Sequence, residues 1–474
     1  MMMSLALAAQ LLEQGGVPCT VCGVTDPAAV ALERVHSDSR TLQAGDLFVA
    51  LVGERFDAHD FLVQARDAGS AAALVQTGRA IKGLPCLEVA DTRVALQALA
   101  RQWRSLFEIP VIAVTGSNGK TTVTQMLAAI LRAAYDDACL ATQGNFNNEI
   151  GLPLMVLRLR STHRAAVFEL GMNHSGEIAL LAGIAQPTVA LVNNAQREHQ
   201  EFMHSVQAVA EENGAAISAL PVDGVAVFPA DDAYSALWQS LAGARTVHTF
   251  GVAQGCTRIL QAQWHIDMHA GWALDLCVDG VPAPVTLAAL GQHNLCNAVA
   301  AAAAASAAGV PHEAIVQGLN AFRPVKGRGV LHAVVYADGT RQWLVDDCYN
   351  ANPDSVLAAI DVLATLPSPR LLVLGDMGEV GERGEQFHAE IGDYAKSRGI
   401  DGLWSLGRLA GHAAAAFGNA ARHFQDMATL SQALAVQTPA LASLLVKGSR
   451  FMAMERAFEH ALHAAQQAGG RVQP

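Results

Sequence analysis

The sequence predicts an α/β fold of three domains, with a central doubly wound P-loop sheet and a Rossmann-like C-terminal domain. Three observations predict it. The chain has 474 residues, which is too long for one hydrophobic core. Apolar strand-like runs alternate with helical stretches along much of it. The stretch VIAVTGSNGKTTVTQM, residues 111–126, places a glycine-rich loop between a buried strand and a helix.

The first region, residues 1–105, mixes short strands with helices. DLFVAL, AAALVQ and LPCLEVA are apolar runs typical of short buried strands. TRVALQALARQWRSLF has the periodicity of an amphipathic helix. We expect this region to be a domain of its own.

Two further α/β regions follow. IPVIAV opens the second, residues 106–322, and AAVFEL, VALVNN and GVAVFP continue it as strands of the kind buried on both faces of a parallel sheet. The third region, residues 323–474, contains the strand-like runs QWLVDD, RLLVLGD, GLWSLG and SLLVKG. The sequence therefore predicts domain boundaries near residues 106 and 322.

Composition excludes several classes of protein. Hydrophobic residues make up 51% of the chain and charged residues 16%, which excludes intrinsic disorder. The net charge of −12, without a basic stripe, argues against nucleic acid as a partner. The scattered cysteines suit a reducing cytosol, and no signal-peptide pattern or bilayer-length apolar run occurs. We expect a cytoplasmic monomer without stable membrane insertion.

The glycine-rich loop is a shortened phosphate-binding loop. The standard form places a glycine six residues before the lysine, but Val114 stands there and the nearest glycine is Gly116. Backbone N–H groups at the start of the following helix can bind phosphate oxygens. Lys120 would neutralise the β- and γ-phosphates of ATP, and Thr121 can ligate Mg²⁺. The expected nucleotide-binding residues are Gly116, Ser117, Asn118, Gly119, Lys120, Thr121 and Thr122.

Two more residues are candidates for the metal site. Glu169 ends the strand AAVFEL, and the carboxyl ends of neighbouring parallel strands share one edge of a sheet. A carboxylate there is placed to hold a hard cation such as Mg²⁺. His199 follows the next strand in LVNNAQREHQEF and could be a second ligand or a solvated loop residue.

The shortened loop resembles the T-G-x-N-G-K-[ST]-[ST] loop of the Mur ligases and the related folylpolyglutamate synthetases. ELGMNHSGEI, TQGNFNNEIGLPL, VDDCYNANPDS, LGDMGEVGE and LLVKGSRFMAMER resemble the Mur ligase branch that adds D-alanyl-D-alanine to UDP-N-acetylmuramoyl-tripeptide. The D-N-P-R motif of the branch that adds the third amino acid does not occur in the sequence. The resemblance covers essentially the whole chain.

The resemblance implies an ATP-dependent amide ligase of cytoplasmic peptidoglycan synthesis. Its substrates would be UDP-N-acetylmuramoyl-tripeptide and D-alanyl-D-alanine, joined through an acyl phosphate with ATP and Mg²⁺. The implied catalytic residues are Lys120, Glu169, His199 and Arg328. The alternative is another Mur-type amino-acid ligase or a folylpolyglutamate synthetase-like enzyme. A GTP-binding switch protein would need an N-K-x-D motif, which the sequence lacks.

Substrate and nucleotide contacts also follow from the resemblance. SDSRTLQAGDLFVALVGERFDAHDF resembles the uridine-nucleotide signature and implies contacts from Ser39 and Arg40, since a guanidinium suits a diphosphate. The family's D-G-H is D-A-H here. GQHNLCNAV resembles H-N-x-x-N and implies that Asn294 and Asn297 approach the nucleotide, although Asn294 also suits a helix cap.

The third region would complete the site when the domains close. There the resemblance implies that Arg328 reaches the ATP phosphates and that Asp347 binds the ribose hydroxyls. Lys447 and Ser449 match a family motif without an assigned role. The expected substrate-contacting asparagines are Asn147, Asn148, Asn350 and Asn352, of which the last two are also typical turn formers ahead of a proline.

One position departs from the family. Many Mur ligases carry a lysine that, once carbamylated, ligates a second metal, and 14 residues after His199 this chain has Asn213. The neighbouring Glu211 and Glu212 could supply charge, but on a helix they point away from the face of Asn213. We expect a carbamate-independent enzyme in which the Asn213 carbonyl oxygen holds the second metal's water shell.

Overall fold

The structure is a computed structural model that describes residues 1–251, 257–266 and 271–473. Within these ranges the chain forms three successive α/β units, each with its own sheet system. The predicted fold class is confirmed. No helix in these ranges is long and apolar enough to cross a membrane.

The N-terminal unit is built on a five-stranded sheet with the order β2-β7-β6-β5-β4. The last four strands of this order are parallel, and β2 pairs with β7 in the antiparallel sense. The three predicted strands and the predicted helix of this region all form. The elements are β1 (Met3–Ser4), α1 (Leu5–Gln14), β2 (Thr20–Cys22), β3 (Ala31–Leu32), β4 (Arg34–His36), β5 (Asp46–Val49), α2 (Leu62–Asp67), β6 (Ala72–Gln76), β7 (Cys86–Val89) and α3 (Thr92–Arg104), with short 3₁₀ helices at Ser39–Thr41 and Ala58–Phe61.

Helix α3 joins this unit to the next. Asp91 caps its first turn by accepting hydrogen bonds from the backbone N–H groups of Arg93 and Val94. Its apolar face, which includes Trp103, is buried in a core cluster that runs on into the central unit. The periodicity of the sequence predicted this buried face, and the neighbour that covers it is the next domain.

The central unit contains a parallel sheet of six strands in the described ranges, with the order β13-β12-β11-β8-β10-β9. Its elements are β8 (Val111–Thr115), α4 (Lys120–Tyr135), β9 (Cys139–Ala141), α5 (Gly151–Val156), β10 (Ala165–Glu169), α6 (Glu177–Ala185), β11 (Val189–Val192), α7 (Gln200–Met203), α8 (Val206–Ser218), β12 (Val225–Pro229), α9 (Ser235–Ala242), β13 (Thr246–Phe250), β14 (Arg258–His265), β15 (Gly271–Val278), β16 (Val281–Leu287), α10 (Gln292–Ala307) and α11 (His312–Ala321).

Strand β8 lies between β10 and β11 and therefore organises the site. Val114 is in register with Glu169 at the end of β10, and Thr115 is in register with Val192 at the end of β11. Because the strands are parallel, the loops that follow all three leave the same edge of the sheet. The phosphate loop, Glu169 and the loop that carries His199 thus converge.

An antiparallel sheet of β14, β15 and β16 was not among the predicted elements. Its β15–β16 turn contains Asp279 and Gly280, both with positive φ. An Asp-Gly pair between apolar runs is a strong hairpin signal, so the sequence carried information that the search for parallel strands overlooked.

The C-terminal unit has a sheet of seven described strands in the order β21-β20-β19-β22-β18-β17-β23, in which β17 and β23 pair in the antiparallel sense. The four predicted strands of this region all form. The elements are β17 (Val330–Val335), β18 (Arg341–Asp347), α12 (Pro353–Ala364), β19 (Arg370–Gly375), α13 (Gly384–Ser397), β20 (Gly402–Leu406), α14 (Ala410–Phe417), β21 (Ala421–Phe424), α15 (Met427–Gln437), β22 (Ser443–Lys447), α16 (Glu455–Gln467) and β23 (Arg471–Val472), with short 3₁₀ helices at Gly381–Arg383, Thr438–Ala440 and Arg450–Met452.

Two short connections join the three units and their sheets. The first lies between Arg104 and Val111 and the second between Ala321 and Val330. We retain domain boundaries near residues 106 and 322 as a proposal that fits these connections.

Candidate active site

A large cleft of about 1540 Å³ lies between the central and C-terminal units. It contains most of the residues that the sequence singled out. Gly116 lies in the loop just behind its wall, and Ser39 and Arg40 lie outside it. The predicted residues that line it are Ser117, Asn118, Gly119, Lys120, Thr121, Thr122, Asn147, Asn148, Glu169, His199, Asn294, Asn297, Arg328, Asp347, Asn350 and Asn352.

The phosphate loop needs its glycines. Gly119 has φ +83° and is the residue that precedes the first turn of α4. A Cβ atom on Gly119 would lie 2.2 Å from Asn297 Oδ1, so a side chain cannot be accommodated there. Gly116 has φ +128°, and its Cβ would lie 3.0 Å from the backbone nitrogen of Asn194. The tight turn thus follows from both the backbone conformation and the close packing beneath it.

Buried asparagines support the loop from behind. Asn193 Nδ2 donates to the carbonyl oxygen of Asn118 at 2.7 Å and to Asn297 Oδ1 at 2.9 Å. Asn297 Nδ2 donates to Asn294 Oδ1 at 2.8 Å. Asn294 lies within α10, whose N-cap is Gly291, so it does not cap that helix. Asn297 therefore lies against Gly119 and is joined to the loop through Asn193, which sequence reasoning missed, and Asn294 supports Asn297.

Lys120 uses all three ammonium protons within the protein. Its Nζ donates to the carbonyl oxygens of Gly116 at 2.5 Å and Ser117 at 3.1 Å, and to Glu198 Oε2 at 3.1 Å. Sequence reasoning missed Glu198. The signal was the run R-E-H, residues 197–199, in the loop that follows β11, in a chain with few charges.

Two carboxylates in the cleft have unpaired oxygens. Glu169 is buried, and its Oε1 accepts a hydrogen bond from Asn147 Nδ2 at 2.8 Å. Its Oε2 and the Oε1 of Glu198 are buried with no hydrogen-bond partner in the described ranges. Burying a charged oxygen without a partner is costly, so both atoms are suited to accept a cation.

These donors fit Mg²⁺. No group of three or more His, Cys, Asp or Glu side chains among the described residues is close enough to hold a metal by itself. Mg²⁺ does not need such a group, because it binds one or two carboxylates and completes its shell with phosphate oxygens and water. Thr121, at the start of α4, is buried at the same edge.

His199 connects the central and C-terminal units. It has φ +47°, and its Nδ1 donates to Glu379 Oε2 at 2.5 Å. This hydrogen bond lowers the pKa of Glu379. The other ring nitrogen, Nε2, lies 3.7 Å from Glu198 Oε2. A carboxylate on one imidazole nitrogen fixes the ring for use of the other, which is a typical arrangement for a metal-binding histidine.

Arg197, which sequence reasoning also missed, joins the same two units. We call this boundary between the central and C-terminal units the polar seam, and the paired bonds of the Arg197 guanidinium its fork. Arg197 donates to Asp354 at 2.6 and 3.0 Å and to Glu390 at 2.9 and 3.1 Å. Burial disfavours the charged guanidinium, but the bonds to Asp354 and Glu390 outweigh burial and raise the pKa of Arg197. Arg197 and His199 thus bind the C-terminal unit, and Glu198 between them binds Lys120 of the phosphate loop.

The C-terminal wall is built around a second lysine. Lys447 Nζ donates to Asp347 Oδ2 at 2.6 Å and to the carbonyl oxygen of Asn350 at 3.0 Å. Asp347 and Lys447 are register partners at the ends of β18 and β22. Arg328 lies with its guanidinium 4.1 Å from the ring centre of Tyr349. Lys447 therefore positions Asp347, which is a role that the sequence left open.

Asn352 and Ser449 also act in positioning. The Asn352 side chain caps α12 by accepting from Ser355 N at 2.9 Å, and its Nδ2 donates to Asn118 Oδ1 at 2.8 Å. Ser449 Oγ accepts from Gly378 N at 2.8 Å and donates to the carbonyl oxygen of Ala351 at 3.1 Å. Asn352 is thus both a turn former and a contact of the phosphate loop.

The expectation for Asn213 requires correction. Asn213 is fully buried, and its Oδ1 accepts from Thr115 Oγ1 at 2.6 Å and from Gly116 N at 3.1 Å. A carbonyl oxygen has two lone pairs, so none remains for a metal's water shell. Glu212 caps α6 through the N–H groups of Gly176 and Ile178, as expected for a side chain that points away from Asn213.

The remaining predicted residues are Ser39 and Arg40, which lie outside the cleft, and Asn148, which lines it. Ser39 and Arg40 lie in a 3₁₀ helix, where Arg40 is exposed and its guanidinium lowers the pKa of Asp38 to about 2. Asn148, inside the cleft, accepts through Oδ1 from the N–H of Gly151 at 2.8 Å and so starts α5.

Comparison with known proteins agrees with this geometry. Family descriptions of the Mur ligase middle domain and of the Mur ligase glutamate ligase domain match residues 114–305 and 333–450. The chain is 41% identical to UDP-N-acetylmuramoyl-tripeptide–D-alanyl-D-alanine ligase of Escherichia coli, over 91% of this chain and 94% of that protein.

Solved structures give the same result. MurF from Acinetobacter baumannii is 33% identical with a TM-score of 0.85, and the match covers 96% of this chain and 98% of that one. MurF from Thermotoga maritima in complex with ADP is 26% identical with a TM-score of 0.79, over 93% and 99% of the two chains.

Proposed function

The chain belongs to the Mur ligase family, and we propose on this basis that it joins D-alanyl-D-alanine to UDP-N-acetylmuramoyl-tripeptide in peptidoglycan synthesis. It is an ATP-dependent ligase. The similarity extends over nearly the full length of relatives with this substrate pair, which favours it over folate polyglutamylation or another amino acid.

The observation that carries the proposal is the division of the cleft. The central unit supplies the phosphate loop with Lys120 and the buried carboxylate of Glu169, and the C-terminal unit supplies Arg328 and Asp347. A site split in this way can bind ATP on one side and close on it from the other. Closure excludes water, which an activated carboxyl group requires.

The proposed reaction has two steps. A carboxylate oxygen of the tripeptide attacks the γ-phosphorus of ATP, and ADP leaves. The dipeptide amine then attacks the acyl carbon, a proton is released from the nitrogen, and inorganic phosphate leaves. The first step brings two anions together, and the second develops negative charge on the oxygen of a tetrahedral intermediate, so Lys120 and Arg328 act chiefly by neutralising charge and fixing positions.

Mg²⁺ fits the central side of the cleft. The residues that would hold it are Thr121, Glu169 and His199, and the buried unpaired oxygen of Glu169 supports this assignment. When bound, the ion supplies positive charge next to the transferring phosphoryl group. Asp347, held by Lys447, is oriented to accept hydrogen bonds from ribose hydroxyls.

The remaining contacts belong to the substrates. Ser39 and Arg40 would bind the uridine diphosphate, and Asn147, Asn148, Asn350 and Asn352 would contact the tripeptide or the dipeptide. We propose a cytoplasmic monomer, since the cysteines of the described residues are all free, as in a reducing compartment. Its mass in solution can be measured by light scattering.

Release of ADP tests the function directly. With ATP, Mg²⁺ and UDP-N-acetylmuramoyl-tripeptide, continuous ADP release should require D-alanyl-D-alanine. Folylpolyglutamate substrates and single amino acids serve as controls and should give no turnover. Turnover with a single amino acid, but not with the dipeptide, would assign the chain to another Mur-type reaction.

A further inference from the structure

Glu198 carries a buried carboxylate that the proposed reaction does not use. It lies in the loop between β11 and α7 and is 5% exposed. Its Oε2 accepts a hydrogen bond from Lys120, whereas its Oε1 is buried without a hydrogen-bond partner in the described ranges. Glu169 Oε2, in the same cleft, is likewise buried without a hydrogen-bond partner in the described ranges.

The ion pair of Glu198 conflicts with nucleotide binding. The ammonium of Lys120 is the group that the phosphate loop offers to the β- and γ-phosphates. Once Lys120 turns to the phosphates, Glu198 is left as a buried anion beside a polyanion. Like charges repel strongly where water is excluded, so a second cation must come to this carboxylate.

We propose that Glu198 is a ligand of the cation that accompanies the nucleotide, together with Glu169. This inference rests on the proposed ATP-dependent reaction. Without nucleotide, Glu198 binds Lys120, and with nucleotide it exchanges the ammonium for Mg²⁺. Mg²⁺ at a nucleotide is usually bound by one or two protein carboxylates, and the two unpaired oxygens would supply one atom each.

Three other glutamates in this region are already engaged or exposed. Glu212 accepts hydrogen bonds from the N–H groups of Gly176 and Ile178 with its two oxygens. Glu211 is exposed and accepts from Gln207. Glu379 is bound to His199. Glu198 is therefore the carboxylate with both the position and a free oxygen for the ion.

The test measures metal binding, not turnover. Mn²⁺ replaces Mg²⁺ as a paramagnetic probe, and electron paramagnetic resonance gives its dissociation constant with the full-length protein saturated with ADP. We expect Glu198→Gln, which keeps the shape but removes the charge, to weaken Mn²⁺ binding about tenfold or more. The exposed Glu211→Gln variant is the matched control and should bind Mn²⁺ as the wild type does.

A second titration separates the metal role from a role in holding Lys120. ADP is titrated in excess EDTA, without metal. If Glu198 is a cation ligand, Glu198→Gln should bind metal-free ADP as tightly as the wild type or more tightly, because a negative charge next to the phosphates has gone. Weaker metal-free binding with unchanged Mn²⁺ affinity would mean that Glu198 only positions Lys120, and the proposal would be wrong.

Two checks keep the result decisive. If Glu198→Gln unfolds, Glu198→Asp retains the charge on a shorter side chain and should hold Mn²⁺ more weakly than the wild type, in a shifted spectrum; an unchanged spectrum overturns the proposal. If wild-type protein with ADP binds no Mn²⁺, the cation of the proposed function fails. If the wild-type protein binds Mn²⁺ in the presence of ADP and the Glu198 variants bind it equally well, the assignment of Glu198 as a ligand is wrong and the proposed function is unaffected.

Discussion

The two junctions of the central unit differ in composition, although both contain apolar contacts, since Leu290 is buried in the core cluster of the C-terminal unit. Toward the N-terminal unit, the core cluster that contains Leu99 and Trp103 continues without interruption into the helices beside the central sheet. Toward the C-terminal unit, the seam contains the fork of Arg197, the pair of His199 with Glu379, and the amide pair of Asn118 with Asn352.

The difference shows where the molecule can move. Apolar side chains at a junction are stabilised by burial and find no partner in water when the units separate. The N-terminal and central units should therefore behave as one body. Charged groups lose less on separation because water solvates them. The reaction needs a cleft that opens for substrates and closes against water, and the polar seam is the one that borders the cleft.

The largest expected effect is on the apolar junction. Trp103→Ala should lower the free energy of unfolding by about 3–5 kcal/mol, because it empties a large volume in the shared core and removes the bond from Nε1 to the Leu159 carbonyl oxygen. Urea unfolding measures this. Val94→Ala, on the exposed face of α3, is the control and should change stability little. A loss below about 1 kcal/mol for Trp103→Ala would show that the junction is not a continuous core.

Lys120→Ala should have the next largest effect, chiefly on rate. Removing the loop ammonium should lower kcat by about 10²–10³-fold, as expected for one preorganised charge. The protein should still fold, but with a lowered melting temperature, because the buried carboxylate of Glu198 loses its ammonium partner. Lys82→Ala, outside the cleft, is the control. Near-normal turnover of Lys120→Ala would show that the loop has a structural role and not a catalytic one.

Arg197→Ala tests the polar seam. Without the guanidinium, Asp354 and Glu390 face each other as like charges, so closure should weaken and kcat should fall about tenfold, or about 1.4 kcal/mol. Affinity for ADP should stay within about twofold, since Arg197 does not line the cleft. Arg197→Lys should not restore the rate, because an ammonium cannot make the fork. If Arg197→Lys had the wild-type kcat, the positive charge of Arg197 would be sufficient and its paired hydrogen bonds would not matter.

The smallest expected effect is a pH dependence at the same seam. The hydrogen bond from His199 lowers the pKa of Glu379, so the contact stabilises the protein fully above the ordinary glutamate pKa of about 4.3 and is lost as pH falls through the lower, folded value. The carboxylate is partly exposed, so Glu379→Gln should cost only about 0.5 kcal/mol at neutral pH. That difference should vanish below the folded pKa. A difference that grows on acidification would contradict it.

The sequence by itself determined the three α/β units, most of their strands and the glycine-rich turn between β8 and α4. Apolar runs and glycine spacing are local properties, and local properties can be read along the chain. Gly116, Lys120, Glu169 and His199 were predicted as site residues in this way, because each lies at a strand end or in the loop that follows a strand. The hairpin at Asp279 was readable too and was overlooked.

Tertiary structure alone decided how those residues are paired. Lys120 with Glu198, His199 with Glu379, and Arg197 with Asp354 join positions between 78 and 180 residues apart. No local pattern specifies such a partner, because it depends on how the sheets stack and on which side chains lose their water. For the same reason Asn213, whose type the sequence supplied, was given the wrong partners: its carbonyl oxygen is used by β8 and the phosphate loop, and only the packed structure shows that no lone pair is left.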